Sequence, residues 1–116
     1  MNVSQATARL TADRAATEQR IASMTVELAA VAAASAGSNL DDEHDPEGST
    51  VAFEREQLAA MRVQAVNHLV ALDAAIARLE SGQYGLCEVC GSSISDERLI
   101  ALPATRTCIT CAERRR

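Results

Sequence analysis

Two Cys-x-x-Cys pairs constrain the fold of this chain more than any other feature. The pairs are Cys87–Cys90 and Cys108–Cys111, and seventeen residues separate them. Two thiolates three residues apart can bend onto one ion, and a second pair completes a tetrahedron of sulfurs around Zn²⁺ at about 2.3 Å. The spacing therefore predicts one zinc ion bound by Cys87, Cys90, Cys108 and Cys111.

Two other uses of these cysteines compete with zinc. A redox pair normally occurs once, between a strand and a helix, whereas this pair is doubled at metal spacing. Disulfides belong mainly to exported proteins, and the polar N-terminus lacks the basic and apolar regions of an export signal. We therefore favour zinc and expect a cytoplasmic protein. Four protein ligands leave no position for water, so we expect a structural site rather than a catalytic one. No Gly-rich phosphate loop, nucleophile elbow or Ser/His/Asp arrangement stands out in the sequence, so we expect no enzyme.

The segment after Tyr84 contains few large apolar residues, so we expect it to be unfolded without metal. Four thiolates on one Zn²⁺ leave a formal charge of −2. Arg98, Arg106 and Arg114 are candidates to offset that charge, although they could equally be surface residues without a special role.

A seven-residue repeat dominates the rest of the chain. It places Val3, Leu10, Thr17, Met24 and Val31 on one face of a first helix, and Val51, Leu58, Ala65, Leu72 and Leu79 on one face of a second. We expect the first helix to fill the first 37 residues, with Asn2 and Gln5 as its capping box. We expect the second from about Thr50 to Ser81, ended by Gly82 in the left-handed conformation.

Helices of similar length joined by a short polar link favour an antiparallel hairpin, although pairing between two copies of the chain stays open. The predicted fold is therefore mostly α: a two-helix coiled-coil hairpin over 1–81, then a small C4 zinc finger over 82–116 with a short C-terminal helix. The hairpin tip at 38–49 is acidic, and Pro46 and Gly48 within it are expected to break the helical pattern. Its candidate partner-binding residues are Asp41, Asp42, Glu43, Asp45 and Glu47.

Charge and hydropathy exclude several classes of function. Residues 38–56 hold seven acids and one Arg, whereas the basic residues that could form a cationic face are few and near one end. Specific DNA binding is therefore not expected, because it needs a dense basic surface. No stretch of about 18 apolar residues is present, so no membrane span is expected.

From Gly82 to Ala112 the sequence resembles the TraR/DksA family of bacterial C4-type zinc-finger proteins. The resemblance rests on Gly-x-Tyr-Gly-x-Cys-Glu-x-Cys-Gly at 82–91, on Glu97-Arg98-Leu99, on Ala101-Leu102-Pro103-Ala104 and on Cys-Ile-Thr-Cys-Ala at 108–112. The family tip motif Asp-x-x-Asp-x-Ala is matched only in part, because Gly48 and Thr50 stand at two of its positions when it begins at Asp45.

The resemblance implies a regulator that binds bacterial RNA polymerase. In the longer family members the helical hairpin enters the secondary channel and its acidic tip approaches the catalytic centre, in some cases together with ppGpp. Two alternatives stay open: a nucleic-acid-binding zinc ribbon using Arg106 and residues 114–116, and a self-associating coiled-coil adaptor. We expect a monomer, with a dimer as the alternative.

Overall fold

The computed structural model describes residues 2–37 and 46–115, with side chains over 2–34 and 50–115. It contains four helices within these ranges: α1 (Val3–Gly37), α2 (Pro46–Glu80), α3 (Asp96–Ala101) and α4 (Ile109–Arg114). The fold class predicted from the sequence is confirmed, because α1 packs antiparallel on α2 and the cysteine-rich finger with its short helices follows. No described helix has a segment long and apolar enough to cross a membrane.

Local sequence explains where α1 begins and where α2 ends. The amide of Asn2 donates to Gln5 Oε1 at 3.1 Å and the amide of Gln5 donates to Asn2 Oδ1 at 2.8 Å, which confirms the capping box. At the other end, Gly82 adopts φ 78°, its amide donates to the Leu79 carbonyl, and the amide of Gln83 donates to the Arg78 carbonyl at 2.8 Å. This pair of bonds is a Schellman motif, which satisfies two terminal carbonyls of α2.

The expected start of α2 near Thr50 is wrong by about one turn, since the helix begins at Pro46. Proline suits the first helical position, because its fixed φ is helical and the amide that it lacks would have no intrahelical partner. Pro46 was interpreted as a helix breaker, although a proline breaks a helix only in its interior.

Two compact units divide the chain, and each is described separately. We call Met1–Ala16 with His68–Arg116 the finger unit, and Thr17–Asn67 the helical unit. The predicted division into a hairpin domain over 1–81 and a finger domain over 82–116 stays a prediction.

In the finger unit, Leu10 of α1 packs on Leu72 and Ala75 of α2, and all three are fully buried. Polar contacts between the two helices accompany this core. Arg14 Nε donates to Asp73 Oδ1 at 2.5 Å, and His68 Nε2 lies 3.1 Å from the carboxylate of Asp13.

The helical unit has a thinner interior. Among its described residues the buried side chains are Thr17, Met24 and Ala65, and Arg62 Nε donates to the hydroxyl of Thr25 at 2.8 Å. The predicted repeat is thus confirmed at its central positions in both helices. It is wrong at Val3 and Val51, which are exposed, because a seven-residue spacing alone does not determine how much of each side chain is buried.

Tyr84 joins two apolar clusters within the finger unit. It packs against the Leu10–Leu72 cluster and also against the finger core of Cys87, Ile94, Leu99 and Cys111. Its hydroxyl donates to the carbonyl of Pro103 at 2.8 Å. Partial burial raises the pKa of Tyr84, although the positive charges of Arg78 and Arg9 oppose the increase.

Replacing this phenol should change the alkaline stability of the zinc-loaded protein. A pKa raised in the folded state means that the neutral phenol stabilises the fold below the unfolded value of about 10, and that this contribution is lost as the pH rises through the folded value. We expect Tyr84→Phe to cost about 1 kcal/mol at neutral pH, because the Pro103 carbonyl loses its donor, and to flatten the alkaline decline in unfolding free energy.

Phenolate absorbance measures the titration directly, because Tyr84 is the single tyrosine and the chain has no tryptophan. Denaturant unfolding of both proteins across the alkaline range measures the stability. A phenol that titrates at or below the value of free tyrosine would contradict the prediction, and so would an unchanged alkaline decline in the variant.

Candidate metal centre

The first cysteine pair lies on a tight loop that backbone hydrogen bonds hold closed. Leu86 and Ser93 form an isolated antiparallel bridge, and the amide of Cys87 donates to the Ser92 carbonyl at 2.8 Å. The amide of Gly91 donates back to the Cys87 carbonyl at 2.9 Å, with φ 75° at Gly91. A Cβ at Gly91 would meet no atom within 4 Å, so the backbone conformation rather than space requires glycine there.

The second cysteine pair begins a helix. Cys108 is the N-cap of α4, and its sulfur accepts from the amide of Cys111 at 3.5 Å. The two loops are also tied to each other, because the amide of Glu88 donates to the Arg106 carbonyl at 2.9 Å. Backbone geometry therefore brings both pairs to one place.

The four sulfurs converge as a tetrahedral site requires. All four Sγ atoms lie within 4.8 Å of one another, and those of Cys90 and Cys108 are 3.8 Å apart. A tetrahedron with Zn–S bonds of about 2.3 Å has edges of about 3.8 Å, so the sulfurs fit one zinc ion. All four cysteines are free rather than paired in disulfides. The expected cofactor, one structural zinc, agrees with this geometry.

Charge at the sulfurs also favours a cation. Backbone N–H groups of Cys108 and Cys90 lower the pKa of Cys87 to about 6, and the Ser92 hydroxyl lowers the pKa of Cys90. The neighbouring thiols, Cys108 first, raise the pKa of Cys111 to about 12. Without metal the cluster therefore holds some of its protons, because adjacent thiolates repel. A divalent ion removes that repulsion and displaces the protons.

The three arginines singled out from the sequence have different surroundings. Arg98 Nε donates to the Thr107 carbonyl at 2.9 Å, next to Cys108. Arg106 Nε lies 3.7 Å from a Glu88 carboxylate oxygen, and Arg114 lines a cleft beside Cys90. Their part in offsetting the sulfur charge stays a prediction.

Sequence reasoning missed Arg78, which is almost buried. Its guanidinium donates to the Thr105 carbonyl at 3.2 Å and lies 3.9 Å from Glu88 Oε1, while desolvation lowers its pKa. Arg9 also escaped notice, and it donates to the Ile100 carbonyl at the end of α3. Nothing in the sequence distinguishes these two arginines from arginines without such a partner, because both donate to backbone carbonyls that are distant in sequence.

Helix α3 was also missed, although its signal is present. Ser95 is the N-cap and accepts from the amide of Arg98, and Asp96 and Glu97 lie in the first turn. Acidic residues at that end are stabilised by the helix dipole. Leu99 of this helix is buried against the cysteine cluster.

The candidate tip residues lie largely outside the described part of the chain. Residues Asp41, Asp42, Glu43 and Asp45 fall outside it, and Glu47 lies in the first turn of α2, where side chains are not described. Their role in partner binding stays a prediction.

The finger sequence of this chain is similar to that of known proteins. Residues 82–116 match the family described as prokaryotic dksA/traR C4-type zinc finger. Over 42 residues the chain is 50% identical to an uncharacterised protein of Aquifex aeolicus, covering 36% of this chain and 29% of that protein. Over 66 residues it is 38% identical to the uncharacterised protein YteA of Bacillus subtilis, covering 57% and 28%. The matched segments thus span less than a third of these relatives.

A solved structure matches the fold over most of the chain. It is that of transcription factor DksA2 from Pseudomonas aeruginosa, with a TM-score of 0.82, 24% identity, and coverage of 97% of this chain and 81% of that one. Fold and sulfur geometry together define a mostly α-helical protein with a C4 zinc finger. Its residues 82–116 match the finger of the DksA/TraR family.

Removing zinc should unfold the finger and spare much of the helix content. We expect Cys90→Ala, or a strong chelator, to collapse the NMR dispersion of residues 84–116, because their core consists mainly of the sulfurs with Ile94 and Leu99. Helical circular dichroism from α1 and α2 should largely persist. Thr110→Ala is the matched control, since it lies between two ligand cysteines and should leave the spectrum unchanged. Undiminished dispersion after verified zinc removal would refute the expectation.

Proposed function

We propose that this protein is a transcription regulator, and not an enzyme, that binds bacterial RNA polymerase in the cytoplasm. In this proposal the helical hairpin presents the acidic segment 38–49 to the secondary channel of the polymerase, where it modulates initiation. Zinc acts structurally, through Cys87, Cys90, Cys108 and Cys111. The protein acts as a monomer and makes no specific contact with promoter DNA.

The observation that carries the proposal is the combination of a DksA/TraR finger with a DksA-type fold over nearly the whole chain. These two findings support a transcription-regulator-like role. The partner itself is inferred from what the resemblance to the family implies.

The distribution of charge supports the same partner. The chain has a formal net charge of −5, and residues 38–56 alone contribute −6. A carboxylate-rich segment is attracted to Mg²⁺ or to basic protein surfaces and is repelled by nucleic acid. The nucleic-acid alternative would rely on Arg106 and the three terminal arginines, and it would lack the aromatic stacking groups that single-strand binding uses, since the chain has one Phe and one Tyr.

Removing two tip charges should separate binding from regulation. We expect Asp42→Ala/Asp45→Ala to lose most of the effect on in-vitro transcription, while its affinity for core polymerase stays within about tenfold of wild type, because each exposed charge pair contributes about 0.2–1 kcal/mol. The matched control is Glu56→Ala/Glu113→Ala, which removes two exposed acids outside 38–49 and should behave as wild type.

Other outcomes would point elsewhere. Equal transcriptional effects of the tip variant and the wild type would remove the acidic segment from the mechanism. Binding to bare DNA with a steep salt dependence, together with no capture of polymerase, would favour the zinc-ribbon alternative. A concentration-dependent mass of twice the monomer would favour the self-associating adaptor.

A further inference from the structure

The helical unit carries an open groove whose lining is mainly apolar. The groove has a volume of about 440 Å³ and runs between α1 and α2. Val31, Leu58 and Met61 supply its aliphatic lining, and the carboxylates of Glu27 and Glu54 supply its charge. All of these residues belong to the same compact unit, Thr17–Asn67.

Composition explains why the groove is open. In the described part of this unit the buried positions are held by Thr17, Met24 and Ala65, and two of these three side chains are small. Two helices with such an interior bury little apolar area, and the larger side chains stay at the edges. Met61 is 50% exposed, and its flexible thioether suits an adaptable contact surface.

The apolar surface extends beyond the groove itself. Phe53, the single phenylalanine of the chain, is 65% exposed and lies one turn before Gln57, which also lines the groove. Residues one turn apart share a helix face, so Phe53 borders the same surface. Exposed aromatic and methionine side chains beside a groove are typical of an interface.

The charge of the groove lining favours one kind of partner over another. Among the described lining residues, the groove holds the two carboxylates of Glu27 and Glu54 and no basic side chain. A second copy of the chain would bring two such grooves and four carboxylates together, which repulsion disfavours. A cationic partner gains from the same field, and its Lys or Arg side chains could pair with Glu27 and Glu54 while its apolar side chains enter the groove.

We propose that this groove binds a cationic amphipathic helix of a partner protein. Apolar side chains one turn apart on that helix pack on Val31, Leu58 and Met61, in the helix-in-groove mode of recognition. Basic side chains beside them pair with Glu27 and Glu54. The described residues that line the groove lie outside 38–49, and the groove proposal does not require that the polymerase proposal is correct.

Designed peptides test the groove with the zinc-loaded, full-length chain. The probe is a fluorescent helical peptide of Leu and Lys with Leu on one face; its comparators replace every Lys with Glu, or every Leu with Ala. We expect the Leu/Lys peptide to bind and both comparators to bind far more weakly. Glu27→Gln/Glu54→Gln should raise the Kd about tenfold, because two exposed ion pairs are lost. Met61→Gln should also weaken binding.

A charge-matched control distinguishes a groove from a diffuse negative field. Glu18→Gln/Glu56→Gln removes the same charge from the same unit at two described residues outside the groove lining, and it should change the Kd by less than about twofold. Equal weakening by both double variants would overturn the proposal, as would equal binding of the Ala/Lys peptide. Concentration-dependent dimerisation abolished by Met61→Gln would also overturn it, in favour of a second copy. Circular dichroism of each variant verifies that α1 and α2 are intact.

Discussion

Convergence of four cysteine sulfurs is the constraint on which the finger depends. The buried residues of the finger core are Cys87, Ile94, Leu99 and Cys111, so two of its four members are metal ligands. Such a core is too small to order some thirty residues by burial alone, and the binding free energy of zinc supplies the difference. The turn at Gly91 and the N-cap at Cys108 both orient cysteine sulfurs toward a common point.

The finger is anchored to the helices of its unit by backbone capping and by Tyr84. The Schellman motif at Gly82 directs the chain out of α2, and the next residues place Tyr84 between the Leu10–Leu72 cluster and the cysteine cluster. Arg78, in the last turn of α2, donates to the Thr105 carbonyl close to the second cysteine pair. Metal binding and helix packing therefore stabilise neighbouring parts of one compact unit.

Patterns with strict local chemistry could be predicted from the sequence. The capping box at Asn2, the left-handed Gly82 and the cysteine spacing each depend on a few adjacent residues, and the structure has all three. Features that depend on tertiary partners could not be predicted from the sequence. Partial burial of Arg78 depends on the distant Thr105 carbonyl, and a seven-residue repeat alone does not reveal that Val51 is exposed. The start of α2 at Pro46 was missed because proline was treated as a breaker rather than as a first-turn residue.

X-ray absorption at the zinc edge tests the central claim most directly. If zinc binding orders the finger, the purified protein should contain one zinc ion per chain with four sulfur neighbours at about 2.3 Å. The same coordination should be found in Thr110→Ala. A first shell that contains nitrogen or oxygen ligands, or a folded finger without stoichiometric zinc, would contradict it.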